Sequence, residues 1–200
     1  MTGQQRREQL REVGRALFAE KGYEAASIEE IAFRAGVSKP VVYEHFGGKE
    51  GLYAVVVDRE MSSLMRRITS ALTGRSARAL VEQAALSLLT YIEEETDGFR
   101  VLTRDAPVVS GVGTFSSLLN DIASQVEYIL AREFAPKGLD VNLAGMYAQM
   151  LVGMVALTGQ WWLEERSPSR EVVAAHLVNL GWNGLHNLQP SPQLRLRQSR

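Results

Sequence analysis

Residues 27–46 read SIEEIAFRAGVSKPVVYEHF, and the expected fold depends on this stretch. Ser27 with Glu30 three positions later predicts a capping box that starts a short helix, and Gly36 predicts where that helix ends. Pro40 fits the first turn of a second short helix. Two short helices with a tight turn between them are typical of a helix-turn-helix, whose second helix enters the major groove of DNA.

The outward side chains of the second helix suit a contact with DNA. Lys39, Tyr43 and His45 can donate to phosphate oxygens, and Pro40 and Val41 can contact thymine methyl groups. Helical hairpins of this length also occur as purely structural elements. The spacing alone therefore leaves both interpretations open.

Further blocks around this stretch resemble the N-terminal domain of the TetR family of bacterial repressors. They are ALFAEKGY at 16–23, SIEEIA at 27–32, AGVSK at 35–39, VYEHF at 42–46 and KEGL at 49–52. The resemblance covers residues 7–53, about a quarter of the chain. It implies an all-α homodimer with a DNA-binding head and a ligand-binding body. Binding of a ligand usually releases such a protein from DNA.

The resemblance also implies which residues contact DNA. The positions are Ser27, Ser38, Lys39, Pro40, Val41, Tyr43, His45 and Lys49. Pro40 and Val41 match base-contacting positions, and Tyr43, His45 and Lys49 match phosphate contacts. Gly48 departs from the family pattern, in which a polar cap more often precedes the lysine.

The composition indicates a folded protein without metal or cofactor chemistry. Of 200 residues, 46% are hydrophobic and 22% are charged, which suits a buried core. The absence of cysteine excludes disulfides and thiolate sites, and the three histidines have no metal-ligand spacing. Because catalytic motifs are absent as well, we expect no enzyme. The N-terminus is not a signal peptide and apolar runs are too short to span a membrane, so we expect a cytoplasmic protein.

Charge is distributed unevenly along the chain. The net charge is −1, and residues 1–53 carry eight basic and eight acidic side chains. A DNA-binding surface must therefore be a local patch. We expect a DNA-binding domain at 1–53, a ligand-binding and dimerisation domain at 54–188, and a basic, disordered tail at 189–200.

Glycine and proline breaks predict about nine helices and no strand. The expected helices lie at 4–21, between Ser27 and Gly36, at 39–46, 49–72, 77–96, 99–106, 114–134 and 141–166, and from Ser167-Pro168 to about 188.

The eighth expected helix is apolar on nearly all sides, so two of its sides must be covered. The ninth contains Gly181 and Gly184, which permit a close neighbour. We expect both helices to form a four-helix dimer interface with a second chain. The alternative is a single-chain bundle in which both helices are internal, and the sequence does not assign Trp161 and Trp162 to interface or pocket.

A pocket for a small lipophilic effector is expected among helices five to eight, because methionine and aromatic walls suit such ligands. The candidate lining residues are Tyr91, Phe99, Leu102, Phe115, Leu118, Ile122, Met146, Met150 and Met154. Alternatively, each of them is an ordinary residue of the hydrophobic core that does not contact a ligand.

These features predict a repressor that leaves a near-palindromic DNA operator when the effector binds, with helix four as the lever. Two other functions stay open: a DNA-binding regulator without a small-molecule effector, and an α-helical enzyme or lipid carrier.

Overall fold

The computed structural model describes residues 1–73, 76–104 and 113–193. Over these residues the chain forms nine α-helices and two short 3-10 helices, with no strand. The α-helices are α1 (Gly3–Ala25), α2 (Ile28–Ala35), α3 (Lys39–Phe46), α4 (Lys49–Ala71), α5 (Ala77–Glu94), α6 (Thr96–Thr103), α7 (Phe115–Phe134), α8 (Ala144–Glu165) and α9 (Arg170–His186). The 3-10 helices, Ala135–Lys137 and Val141–Leu143, lie between α7 and α8. The predicted all-α architecture is confirmed.

The first three helices form the head around a small apolar core. Leu17 of α1, Ile31 of α2 and Val42 of α3 are fully buried there. Helix α4 is attached to this head at Gly14, where an added Cβ would lie 2.8 Å from Leu52 Cδ2. The beginning of α4 is therefore packed into the head.

The remaining helices form the larger body. Helices α7 and α8 pack against each other, and α9 packs mainly on α5. The short helix α6 contacts both α1 and α4. The body thus meets the head in two places, through α4 and through α6.

Two predicted breaks differ from the structure. Gly98, expected near the end of the fifth helix, lies inside α6 and is buried. The reason is close packing, because its backbone lies against the carboxyl group of Glu60. Helix α9 begins later than expected, with Ser169 as its N-cap, and Arg166 ends α8 in a left-handed conformation at φ 54°.

Gly22 was expected to stop the first helix, and it does interrupt the helical backbone with φ 81° and ψ 170°. Helical residues nevertheless continue to Ala25. The expected irregular loop at 108–113 and the expected disordered tail fall largely on residues 105–112 and 194–200, outside the described part of the chain.

Candidate functional site

A glycine turn fixes the angle between α2 and α3. Gly36 adopts φ 65°, a left-handed conformation that costs glycine little. Its N–H donates to the Phe33 carbonyl at 3.1 Å, and the next N–H, of Val37, donates to the Ala32 carbonyl at 3.0 Å. These two bonds satisfy carbonyls at the end of α2, so the turn holds α3 in one orientation.

Half of the predicted capping box is present at the start of α2. The Ser27 hydroxyl accepts from the Glu30 N–H at 3.2 Å. The Glu30 carboxylate does not reach back, because it binds Lys21 at 2.8 Å and Arg34 at 2.7 Å. Ion pairs on the surface of the head replace the second capping bond.

Three of the predicted DNA contacts on helix α3 have side chains exposed to solvent, and so has Glu44. Lys39, Pro40 and Tyr43 are exposed, while Val41 and His45 are partly buried. The Tyr43 ring lies against Gly48, with 3.6 Å from its Cε1 to an added Cβ. Gly48 has φ 138°, so glycine at the usual cap position permits this backbone.

Ser38 forms the N-cap of α3 with an extended backbone. Its side chain makes no capping bond to the helix, so its exposed hydroxyl remains available to another acceptor or donor. Ser27 differs in this respect, because its oxygen already accepts from the Glu30 N–H.

Both lysines of the expected DNA surface are held by the protein itself. The Lys39 ammonium donates to the Glu29 carboxylate, which lowers the pKa of Glu29. Lys49 donates to the Tyr23 carbonyl at 2.9 Å and lies 4.3 Å from the centre of the Tyr23 ring. An ammonium group has three donors, so a phosphate contact by either lysine must share it with these partners.

A cation that the sequence prediction missed lies beside the end of α3. The Arg7 guanidinium donates to the His45 carbonyl and lies 4.4 Å from the centre of the Phe46 ring. The basic pair Arg6-Arg7 was the available signal. Helix α1 thus adds positive charge next to the C-terminal end of α3.

An apolar cavity of about 100 Å³ lies in the body between α4, α5, α7, α8 and α9. Every lining side chain is aliphatic or phenylalanine. Helix α4 contributes Leu64 and Ile68, and Leu72 follows at its C-terminal cap. The helix that carries the head therefore also forms a wall of the cavity.

A buried polar group lies between this cavity and the head. Among the described residues, Glu60 of α4 is the one buried charged side chain, with 6% of its surface exposed. Its Oε2 accepts from the Tyr91 hydroxyl at 2.6 Å, and its Oε1 lies 3.8 Å from Arg15 Nη1 of α1. Burial, together with the hydrogen bond to Glu60, raises the pKa of Tyr91, which keeps its hydroxyl a donor.

Two family models match consecutive parts of the sequence. The model of bacterial regulatory proteins of the tetR family matches residues 10–56, which include α2 and α3. The tetracyclin repressor-like C-terminal domain matches residues 64–194, more than half of the chain. The chain belongs to the TetR family. Proteins of this family are transcriptional regulators and not enzymes.

Individual TetR relatives agree with this assignment. The HTH-type transcriptional activator FasR of Mycolicibacterium smegmatis is 29% identical over 191 residues, which are 92% of this chain and 84% of FasR. A TetR-like regulator from Rhodococcus sp. RHA1 has a TM-score of 0.77 at 23% identity, covering 92% of this chain and 97% of that one. The fatty acid degradation regulator FadR from Bacillus halodurans has a TM-score of 0.71 at 16% identity, covering 88% and 93%. The last two comparisons show the TetR fold.

The nine predicted ligand residues are dispersed in this TetR body. Phe115 and Ile122 line the cavity. Tyr91, Phe99, Leu102 and Leu118 are buried but are not part of its lining. Met146 and Met150 lie on the outer side of α8, with 46% and 57% exposed. Met154 lies against α9, with its Cε 3.2 Å from a Cβ added at Gly181.

The sequence prediction did not include the α4 wall of the cavity. Leu64, Ile68 and Leu72 recur every four residues, so they share one face of the helix. This spacing was the available signal. It indicates a buried face, although not whether that face meets a cavity or other side chains.

An exposed apolar stripe runs along α8, and α9, which contacts α8, carries a further exposed apolar side chain. On α8 it consists of Met146, Met150, Leu157 and Trp161, which are 46–66% exposed, and Leu180 of α9 is 66% exposed. We call these five residues the α8/α9 stripe. Neither helix is wholly internal to a single-chain bundle, because the stripe is open to solvent in this chain.

The segment Val141–Glu165 is long and apolar enough to cross a membrane by length and composition, with a mean hydropathy of 1.4 over its most apolar window. Gln149 interrupts the apolar run within this segment. TetR-family regulators are soluble DNA-binding proteins. The core-facing side of α8 and its exposed stripe together account for this composition.

Replacing Gly98 with alanine is expected to destabilise the protein by about 1–3 kcal/mol, as overpacking does. An added Cβ would lie 2.1 Å from Glu60 Oε2 and 2.8 Å from the Tyr91 hydroxyl. Chemical denaturation measures the change. Gly3→Ala is the control, because its Cβ would meet nothing within 4 Å. Equal stabilities of the two variants would contradict the close packing around Glu60.

Proposed function

We propose that this protein is a homodimeric transcriptional repressor in the cytoplasm, which binds a near-palindromic operator and is released by a small lipophilic ligand. Residues 1–53 form its DNA-binding domain, residues 54–188 its ligand-binding and dimerisation domain, and residues 189–200 a basic tail. Membership of the TetR family supports DNA binding and dimer formation in general terms. The finer statements have separate support, given below.

The exposed side of α3 supports its role as the recognition helix. Pro40 and Val41 are proposed to contact bases, because apolar side chains can contact thymine methyl groups. Ser27, Ser38, Tyr43 and His45 are proposed to contact phosphates. Lys39 and Lys49 join them by sharing their ammonium groups between phosphate and the partners described above.

The α8/α9 stripe supports the dimer. Five exposed apolar side chains on two neighbouring helices form a patch of the kind that marks protein interfaces. A symmetric pair of such surfaces gives a four-helix interface. The resulting dimer would place two copies of α3 in successive major grooves, about 34–36 Å apart. Because the two copies are related by symmetry, the operator would be a near-palindrome.

The cavity supports a lipophilic ligand. It is lined entirely by apolar side chains, and dry apolar cavities of similar size bind small hydrophobic molecules. A ligand with more bulk than the cavity holds must separate its walls. Because one wall is α4, ligand binding would move the helix that is attached to the head at Gly14.

The observation that carries this proposal is that α4 lines the apolar cavity at Leu64 and Ile68 and packs on the head at Leu52. A coupling of about 1–3 kcal/mol between the two ends is enough for a useful switch. That coupling corresponds to an approximately 5–150-fold change in operator affinity.

The first experiment selects genomic DNA fragments that the purified protein retains at moderate salt. We expect an enriched near-palindromic site. A folded dimer without any enriched site, before and after refolding from denaturant, would contradict sequence-specific binding. Refolding removes a ligand that came with the preparation.

The second experiment titrates the protein–operator complex with straight-chain 1-alkanols of 6 to 16 carbons. Burial of each CH₂ contributes about 0.8 kcal/mol, so affinity is expected to rise about fourfold per carbon until the cavity is full. Ala84→Leu, which places a larger side chain in the lining, is the matched variant. It is expected to keep operator affinity and lose the response to alkanols.

A regulator without a small-molecule effector is the second candidate, and the small volume of the cavity favours it. An alkanol series that neither shifts the melting temperature nor releases the operator would support this candidate. A reporter gene behind the selected operator tests repression separately. FasR, the 29% identical relative, is an activator, so a rise in expression would overturn repression and leave DNA binding intact.

Tyr43→Phe is expected to weaken binding to operator and to unrelated DNA by the same factor, about 2–10 per contact, because a phosphate hydrogen bond carries no sequence information. The Tyr43 side chain is 53% exposed, so the hydroxyl can be removed without a change in the core. Affinity for both DNAs at one salt concentration measures the effect. A changed sequence preference would contradict the phosphate assignment.

A further inference from the structure

Buried charge is rare in this body, which makes the surroundings of Glu60 informative. Glu60 lies on α4, one turn before the cavity-lining Leu64. Any displacement of Leu64 along or across the helix axis therefore moves Glu60 as well. The carboxyl group is enclosed by Tyr91 and by the backbone of Gly98.

A series of contacts connects this carboxyl group to the cavity. Phe115 lines the cavity, and its ring centre lies 5.7 Å from that of Phe99, edge to face. The Phe99 ring in turn lies 6.4 Å from that of Tyr91, also edge to face. The Tyr91 hydroxyl donates to Glu60 Oε2 at 2.6 Å.

On the other side, the same carboxyl group faces the head. Arg15 of α1 lies 3.8 Å from Glu60 Oε1 and 2.7 Å from Glu95 Oε2. Glu95 is the residue between α5 and α6. Arg15 therefore joins the head to α4 and to the α5–α6 junction at once.

We propose that Tyr91 and Glu60 transmit the state of the cavity to the DNA-binding head through Arg15. This proposal rests on the proposed ligand-controlled function and names the residues that make the control. A ligand that displaces Phe115 or Leu64 changes the position of the Glu60 carboxylate. The Arg15 guanidinium then loses its contact with Glu60 and keeps those with Glu95 and Glu12, and α1 turns relative to α4.

Polar contacts suit this role better than apolar packing. A hydrogen bond inside the protein has a narrow geometric range, and a half-satisfied buried network is costly. The network consequently favours discrete arrangements. Transmission between two sites requires such an element, with discrete arrangements that both sites influence.

Two substitutions separate the two contacts of Glu60. Tyr91→Phe removes the hydroxyl that binds Oε2 and leaves the charge opposite Arg15. Glu60→Gln keeps an amide oxygen that can accept from Tyr91 and removes the attraction to Arg15. Tyr128→Phe is the control, because Tyr128 lies on α7 and is 67% exposed.

The test needs no effector, because coupling between two sites is reciprocal. Hydrogen exchange of α7 is measured with and without a DNA fragment that the parent protein retains. In the parent and in Tyr128→Phe, DNA is expected to change the exchange rates of α7. In Tyr91→Phe and Glu60→Gln this change is expected to fall at least fivefold, while DNA affinity stays within about threefold of the parent.

Equal transmission in the parent and in Tyr91→Phe would overturn the proposal, and so would a parent in which DNA leaves α7 exchange unchanged. A merely structural role would lower melting temperature and DNA affinity while the α7 response to bound DNA persists. A second arm uses 1-dodecanol. If 1-dodecanol releases the parent protein and Tyr91→Phe from DNA to the same degree, the relay is refuted and the proposed function is left intact. If it does not release the parent, while Tyr91→Phe still loses the α7 response to DNA, only the ligand class is refuted.

Discussion

A variant carrying Met150→Glu and Leu157→Glu is expected to sediment as a monomer and to lose at least about a hundredfold in affinity for a near-palindromic operator. Both side chains lie at the middle of the α8/α9 stripe and are 57% and 66% exposed in the single chain. In the proposed dimer they face the α8/α9 stripe of the second copy. Two carboxylates per chain would then be buried without partners, which is strongly unfavourable.

The loss in DNA affinity follows from the loss of the second head. In a dimer, binding of one head makes binding of the other intramolecular, which raises overall affinity by about 10²–10⁴-fold. A monomer keeps the contacts of one half-site. Affinity for a single half-site is therefore expected to be unchanged in the variant, and this measurement separates dimer loss from damage to the head.

Val141→Glu is the control for this variant. Val141 is 45% exposed, an apolar side chain of comparable exposure that precedes α8 and lies off the stripe. Sedimentation of this control as a dimer, beside a monomeric double variant, would locate the interface on the stripe. A double variant that remains a dimer would refute the α8/α9 interface.

The head could be predicted closely because local chemistry determines it. Gly36, Ser38 and Pro40 each act through their own backbone or first-turn geometry, and the structure places α2 and α3 at Ile28–Ala35 and Lys39–Phe46. Such signals depend on a few neighbouring residues. They predict helix limits well, but not the ion pairs that engage Lys39 and Lys49.

The helices of the body were predicted from the sequence, but the sides of those helices that face the cavity were predicted less well. Met146 and Met150 were expected in the pocket because methionine suits lipophilic ligands, yet both lie on the outside of α8. An all-apolar helix gives no periodicity from which to distinguish its sides. Which side meets the cavity depends on how α8 packs against α7, and that is a property of tertiary structure.

Gly98 shows the same limit in a single residue. In the sequence, Asp97-Gly98 is typical of a helix end, and a turn was expected there. In the structure the glycine is buried inside α6, where it admits the Glu60 carboxyl group. The residue that requires the glycine is 38 positions away in the sequence, beyond the range of any local signal.

Trp161→Ala and Trp162→Ala are expected to have different effects, although the residues are adjacent. Trp162 is 1% exposed, and its Nε1 donates to the Pro168 carbonyl at 2.7 Å. Its replacement by alanine removes a large buried ring and leaves that carbonyl without this donor. We expect the free energy of unfolding to fall by about 3–5 kcal/mol.

Trp161 is 50% exposed and belongs to the α8/α9 stripe. Its replacement by alanine is expected to change the unfolding free energy of the monomer by no more than about 1 kcal/mol from that of the parent. It is expected to raise the dimer dissociation constant by at least about tenfold, because tryptophan is enriched among residues that dominate interface energies. Because dimer formation stabilises the folded state by mass action, unfolding is measured at several protein concentrations. The effect of Trp162→Ala is expected to persist at every concentration, whereas that of Trp161→Ala should depend on concentration. Equal, concentration-independent losses for both would contradict the assignment of Trp161 to the interface and of Trp162 to the core.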